Sequence, residues 1–114
     1  MALSVAIGAF GAHMLEGMIT ADELAIYETG VQYHMMHGLA VLITGILAKV
    51  LGESRKLFWA GALFIAGTII FSGSLYVLSI SGIKWLGAIT PIGGVSFIVG
   101  WLMLMSSALS RRNT

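Results

Sequence analysis

Hydrophobic residues run along this chain in four blocks, approximately Met1–Leu15, Val31–Leu51, Leu57–Ile80 and Ile92–Leu109, each closed by charge, Gly or Pro. From Leu57 to Ile83 there is no Asp, Glu, Lys, Arg or His, a run longer than the about 20 residues that carry a helix across a bilayer core. The other blocks follow the same apolar pattern, and the first is short for a full span. Punctuation refines the ends. Thr20-Ala21-Asp22-Glu23 has capping-box spacing and starts a helix near Ala21, so the second helix runs ahead of its membrane part, with Gly30 as a bend between the two. Thr90-Pro91 reads as an N-cap followed by Pro at the first helical position, with Gly93-Gly94 loosening the first turn. The expectation is an all-α integral membrane four-helix bundle, one domain over residues 1–114, with helices at about 1–15, 21–51, 57–80 and 91–109.

Helical projection sorts the faces. Along the second block Tyr33, His34, His37, Gly38, Thr44 and Gly45 share one side and are expected to face protein. Leu39, Leu42, Ile43, Ile46 and Val50 share the other and face lipid, with Met35 and Met36 beside them. In the third block Gly61, Ile65, Thr68, Ser72, Tyr76 and Ser79 form a stripe of small and hydroxyl residues. In the first, Ser4, Gly8 and Ala12 recur every fourth residue, as in helices that approach closely. Trp59, Trp85 and Tyr76 fall near block ends, where aromatic anchors collect, and Trp101 lies deeper.

Composition agrees with a membrane solvent: 58% of residues are hydrophobic and 10% charged, against about a quarter charged in soluble domains. A net charge of +1 without a basic stripe excludes a nucleic-acid partner, and the absence of Cys excludes disulfides and thiolate chemistry. Met1 leads into Ala2-Leu3-Ser4-Val5 with no positive charge ahead, which reads as a retained helix instead of a secretory leader. Lys49, Arg55 and Lys56 flank the second loop and Arg111 and Arg112 close the chain, whereas Glu16, Asp22, Glu23 and Glu28 crowd the first loop. The positive-inside rule then places both termini and the second loop in the cytoplasm.

The sharpest chemistry is a histidine set. His34 and His37 are three apart on one helix, and His13 is expected at a similar depth near the outer end of the first. Three imidazoles converging there would suit a metal or a proton relay. Against metal, Met35, Met36 and Glu28 project away from His37, and hydrogen bonding between helices is the plainer role. No cofactor is expected. A ligand or proton site would draw on His13, Tyr33, His34, His37, Ser72 and Tyr76, and Thr90, Gly93 and Gly94 could meet an anion or lipid headgroup at a helix start. No Ser-His-Asp or Ser-Lys arrangement is present to suggest hydrolysis.

Four motifs carry a resemblance: Gly8-Ala9-Phe10-Gly11-Ala12-His13, Tyr33-His34-Met35-Met36-His37, Phe71-Ser72-Gly73-Ser74-Leu75-Tyr76, and Ile89-Thr90-Pro91-Ile92-Gly93-Gly94 with Gly100-Trp101. In order and spacing the chain resembles a small bacterial inner-membrane family known as a domain of unknown function (number 423), and is similar to eukaryotic small transmembrane protein 256. The resemblance implies a multi-pass inner-membrane protein and singles out His13, Tyr33, His37, Ser72, Ser74, Tyr76, Thr90, Pro91 and Gly94. It implies no activity. It also implies a longer first helix completed by residues ahead of Met1. Three functions are carried forward: binding or transport of a small solute, lipid or proton through a polar cluster in the outer half; a membrane metal or redox enzyme using the histidines; and a structural or assembly partner, including self-association.

Overall fold

In the computed structural model, which describes residues 1–112 and side chains as far as Leu109, the chain forms four helical rods. Arg111 and Arg112, the closing charges of the orientation argument, fall outside the described side chains. Helix α1 spans Ala2–Leu15 and ends in a π-helical turn at Gly11–Leu15; α2 spans Ala21–Leu51. Helix α3 spans Arg55–Ser81, with a π-helical turn at Thr68–Ser72, and α4 spans Thr90–Arg112 after a short 3-10 turn at Lys84–Ala88. The three later rods are each long and apolar enough to cross a membrane, and α1 is a shorter apolar helix. No strand occurs among the described residues.

Local chemistry explains the ends. The Thr20 side chain accepts from the Glu23 backbone N–H at 3.1 Å and the Glu23 carboxylate accepts from the Thr20 N–H at 2.9 Å, a closed capping box. Helix α2 stops at Gly52 and α3 at Gly82, both at positive φ (90° and 70°), where glycine carries no steric penalty. Ser54 caps α3 by accepting from the Leu57 N–H. Two expectations change. Helix α2 runs unbroken through Gly30, which is not a bend: a Cβ there would lie 2.9 Å from the Tyr76 ring. Thr90 is not a free N-cap, because the 3-10 turn leads straight into α4 and the Ile92 N–H already finds the Ile89 carbonyl. The Thr90 hydroxyl instead pairs with Ser74 Oγ at 2.6 Å.

Helix α3 is the central rod, packed on α2 and on α4, while α1 lies antiparallel against the first part of α2. The α3–α4 contact is a reciprocal seam. On α3 Leu57, Ala60, Phe64, Gly67 and Phe71 recur at alternating intervals of three and four, and on α4 Gly93, Phe97, Gly100, Leu104 and Ser107 do the same. A Cβ on Gly93 would meet the Phe71 backbone, one on Gly67 the Phe97 ring, and one on Gly100 the Phe64 ring. Each glycine therefore receives a phenylalanine from the opposite helix, and the backbones approach closely. Without hydrophobic drive between helices in lipid, such contact is a main source of cohesion.

Lipid-facing positions behave as the projection predicts at Leu39, Leu42, Ile43, Ile46 and Val50, all exposed. Met35 departs from it, packing with Leu15, Tyr27 and Val31, and Ile65 of the small-residue stripe is exposed. The π turn explains why one face cannot describe all of α3. Its i→i+5 bonding shifts the register, so Phe64 and Gly67 before it meet α4 while Ser72 and Tyr76 beyond it meet α2.

The seam predicts a graded glycine response. Gly93→Ala should lower stability by about 1–3 kcal/mol, because the added methyl meets backbone. Gly73→Ala, with nothing within 4 Å of the new Cβ, should stay within about 0.5 kcal/mol of the parent. Reversible unfolding in mixed micelles measures both, and equal losses would show that the seam is not the contact that counts.

Candidate functional site

His37 sits at the centre of the molecule, 2% exposed, where α2, α3 and α4 meet. Its Nδ1 lies 2.8 Å from the Tyr33 carbonyl, which can only accept, so Nδ1 carries the proton. Its Nε2 lies 3.0 Å from the Trp101 indole nitrogen, which can only donate, so Nε2 is bare. The two contacts together hold a neutral imidazole in one tautomer. A second ring proton would set two donors against each other. Phe97 stacks on the ring at 3.5 Å between centroids, and Tyr33, Phe64 and Trp101 complete the aromatic surround. With no lone pair to spare on either nitrogen, this histidine is built as a strut between helices.

Nearer the Gly82 end a second set of polar contacts joins the rods. His34 Nδ1 pairs with Tyr76 Oη at 2.9 Å, Ser72 Oγ donates to the Gly30 carbonyl at 2.8 Å, and Tyr27 Oη donates to the Ile7 carbonyl at 2.6 Å. Ser96 Oγ donates to the Leu63 carbonyl across the α3–α4 seam. Every buried side-chain nitrogen and oxygen among the described residues has a partner. Satisfied in this way, these groups act as stitches between helices, each worth about 0.6 kcal/mol and up to about 1.7.

The sequence-predicted residues therefore divide. Tyr33 and His37 come together with Trp101, and His34, Ser72 and Tyr76 form the neighbouring set. His13 joins neither: it is exposed in the π turn of α1, because the antiparallel packing sets Gly11 against Tyr27 and leaves His13 on the outer side. Among the described residues no three His, Asp or Glu side chains converge as a metal would require, so the three-histidine centre is not assembled. His37 also lies away from the helix ends, level with Phe97 near the middle of the Lys84–Leu109 rod. Gly93 is pressed on the Phe71 backbone, and Gly94 lies beside the Phe71 ring, so the Gly pair serves packing.

A different feature is open. Between the Gly52-end halves of α2 and α3 lies a groove of about 680 Å³. Val41, Thr44, Gly45 and Ala48 form one wall, Leu57, Phe58, Gly61, Ala62 and Ile65 the other, and Glu53, Ser54 and Arg55 the mouth. Gly45 belongs by projection to the inward side of α2, yet a Cβ there would find no atom within 4 Å. At Gly61 the nearest atom would be Thr44 Cγ2, at 3.7 Å. Helix α1 packs along the first part of α2, with Met1 beside Gly38. A smaller crevice of about 190 Å³ lies between α1 and α2 beside Gly8, Tyr27, Glu28 and Gln32.

The family described as "Protein of unknown function (DUF423)" matches residues 7–94. The chain belongs to that family. Among its relatives, the UPF0382 membrane protein YwdK of Bacillus subtilis (strain 168) is 50% identical over 107 residues, 94% of this chain and 87% of the relative. The UPF0382 membrane protein SAB0533 of Staphylococcus aureus (strain bovine RF122 / ET3-1) is 52% identical over 103 residues, covering 90% and 83%. The UPF0382 membrane protein SH2409 of Staphylococcus haemolyticus (strain JCSC1435) is 49% identical over 105 residues, covering 92% and 84%. No solved structure matches the chain. This is thus a bacterial-type membrane protein of an uncharacterised family, and its matched stretch holds the whole groove and His37 but stops short of Phe97 and Trp101.

Residue reading missed the seam and the groove for different reasons. The alternating interval of glycine and phenylalanine was visible in the sequence and marks a close-packed interface. The groove had no such signal, because it depends on how α2 and α3 are set against each other.

The His37 geometry predicts that nitrogen NMR of histidine-labelled protein in micelles at neutral pH shows one buried ring in the Nδ1–H neutral form. Trp101→Phe should move its Nε2 resonance and cost about 1 kcal/mol or less, the range of hydrogen bonds between helices in lipid. An Nε2-protonated ring would contradict the assignment.

Proposed function

We propose that this protein binds a lipid-like amphiphile in the groove between α2 and α3, as a lipid-binding membrane protein of the inner membrane. The observation that carries the reading is the groove itself, an apolar crevice of about 680 Å³ between α2 and α3 with Gly45 on one wall and Gly61 on the other. The volume lies within the roughly 300–1,000 Å³ usual for ligand sites. The walls are almost wholly apolar and polar groups are confined to the mouth, the distribution an acyl chain with a polar head requires. Hydrocarbon is the only solvent available along such a wall, so an apolar tail enters without losing hydration.

The polar cluster supports this reading by its role as frame. Its buried side-chain nitrogens and oxygens are all partnered, with Trp101 to His37, His34 to Tyr76 and Ser72 to Gly30 joining helices, whereas the groove is lined by apolar side chains. Tyr33, His34, His37, Ser72 and Tyr76 then set the spacing of α2, α3 and α4, while His13 stands apart on α1, and the binding residues are Thr44, Gly45, Ala48, Gly61 and Ile65. Charge at the Gly52 end, with Lys49, Arg55 and Lys56 against Glu53, orients that end toward the cytoplasm.

Filling the groove tests the proposal. Gly45→Leu places its side chain in open space without touching backbone, so the fold should persist while the groove closes. Protein purified in mild detergent should carry bound lipid, measured by extraction and mass spectrometry. Gly45→Leu and Gly61→Leu should each lower it about tenfold, the equivalent of about 1.4 kcal/mol. Equal lipid in parent and both variants would end this reading.

A further inference from the structure

Independently of the groove reading, we infer that the crevice between α1 and α2 holds a primary ammonium group, presented by a lipid headgroup or by a free amine at the acidic end of the bundle. Two residues of α2 make the contact with α1, and their neighbours line the crevice. The Tyr27 ring fits against Gly11 and Val31 against Gly8, so the two backbones come close. Glu28 and Gln32, each one position further on, stand on the flank of that contact. Gly8, Gly11 and Ala12 form the facing wall of a space of about 190 Å³. All of these residues lie within the stretch that the family matches.

Charge and donor count select the occupant. Glu28 is the one charged residue of the lining, and neither its carboxylate nor the Gln32 amide has a side-chain partner among the described residues. Glu16, Asp22 and Glu23 add negative charge at this end, against Lys84 and the imidazole of His13. The crevice therefore favours a cation. A divalent metal is poorly served, since it takes about six oxygen ligands or more and no three acidic or imidazole side chains converge among the described residues. A primary ammonium carries three N–H donors, and the two carboxylate oxygens of Glu28 with the amide oxygen of Gln32, one helical turn on, offer three acceptors. A quaternary ammonium has no N–H to donate and is usually held by a cage of aromatic faces. Tyr27 is the only aromatic residue of the lining, and its ring is packed on Gly11 and Tyr76.

Depth and size agree with a small polar head. Glu28 lies just ahead of the apolar block that begins at Val31, and Gln32 just inside it, so a group held between them sits at the membrane interface. Both side chains are exposed, and the group enters without opening the bundle. At about 1.5 Å per residue the site is about 30 Å along α2 from Lys49, at the end opposite the groove mouth. A space of about 190 Å³ is below the roughly 300–1,000 Å³ of drug-sized sites, which suits an aminoethyl head and leaves any acyl chain outside.

The test uses the protein in nanodiscs of equal phosphatidylethanolamine and phosphatidylcholine, released into native mass spectrometry. The parent should retain phosphatidylethanolamine over phosphatidylcholine by about threefold, within the range of an exposed ion pair. Glu28→Gln should bring the ratio near one, and Glu16→Gln, the same loss of charge outside the crevice, should leave it at the parent's value. In nanodiscs of phosphatidylcholine alone, added ethanolamine should move the carboxyl carbon resonance that Glu28→Gln removes. A parent ratio near one together with that shift keeps the site and gives it to a free amine. A ratio near one without the shift overturns the inference. So does a ratio unchanged in Glu28→Gln, or one lost equally in Glu16→Gln. Total lipid unchanged in Gly45→Leu would end the groove reading and leave this inference standing.

Discussion

Hydrocarbon supplies no hydrogen bonds, so every polar side chain on the inner faces of these helices has to find its partner within the protein. The chain Trp101 N–H to His37 Nε2, and His37 Nδ1–H to the Tyr33 carbonyl, is the clearest expression of that constraint. It ties the middle of α4 to the middle of α2 across Phe97 and Phe64, and it fixes both the tautomer and the rotation of the ring. His34–Tyr76, Ser72 to Gly30 and Tyr27 to Ile7 extend the same logic toward the Gly82 end. The hydrogen bonds are individually modest. Their geometric demands are strict, and they decide which faces meet.

Packing supplies the complementary force. Along the α3–α4 seam the alternation of glycine and phenylalanine brings two backbones close and fills the space between them, so dispersion contact accumulates over the interface. Helix α3 serves two neighbours along its length: before the π turn at Thr68–Ser72 it packs on α4 and α2 together, and beyond it Ser72 and Tyr76 join α2 while Ser74 keeps a link to Thr90 of α4. One end of the molecule is consequently stitched on several sides. The other has α2 and α3 apart around Gly45 and Gly61, with basic residues at its rim. The proposed lipid site uses that apolar crevice and requires no group to change protonation.

Local information in the sequence reached far. The four apolar blocks, the capping box at Thr20 and the exposed side Leu39, Leu42, Ile43, Ile46 and Val50 follow from hydropathy, short-range hydrogen bonding and helical period, all properties of neighbouring residues. His37 was legible as inward-facing because the same period places it opposite the apolar side, whereas Tyr33, assigned to the same side, is exposed at its outer edge although its ring touches Phe71. Where the reading failed, the missing quantity was relative placement. His13 was expected beside His34 and His37, and depth alone could not say that Gly11 would turn toward Tyr27 and carry His13 outward. Gly30 looked like a bend because glycine permits one, whereas Tyr76 needs its missing side chain for room.

Residue order alone thus determined the solvent of this protein, its helices and the outward side of α2, since these depend on transfer free energy and on contacts within a few turns. Tertiary structure decided the pairing of Trp101 with His37, the register of the Gly–Phe seam and the existence of the groove. Those depend on the rotation and separation of helices far apart in the chain, which no local pattern encodes.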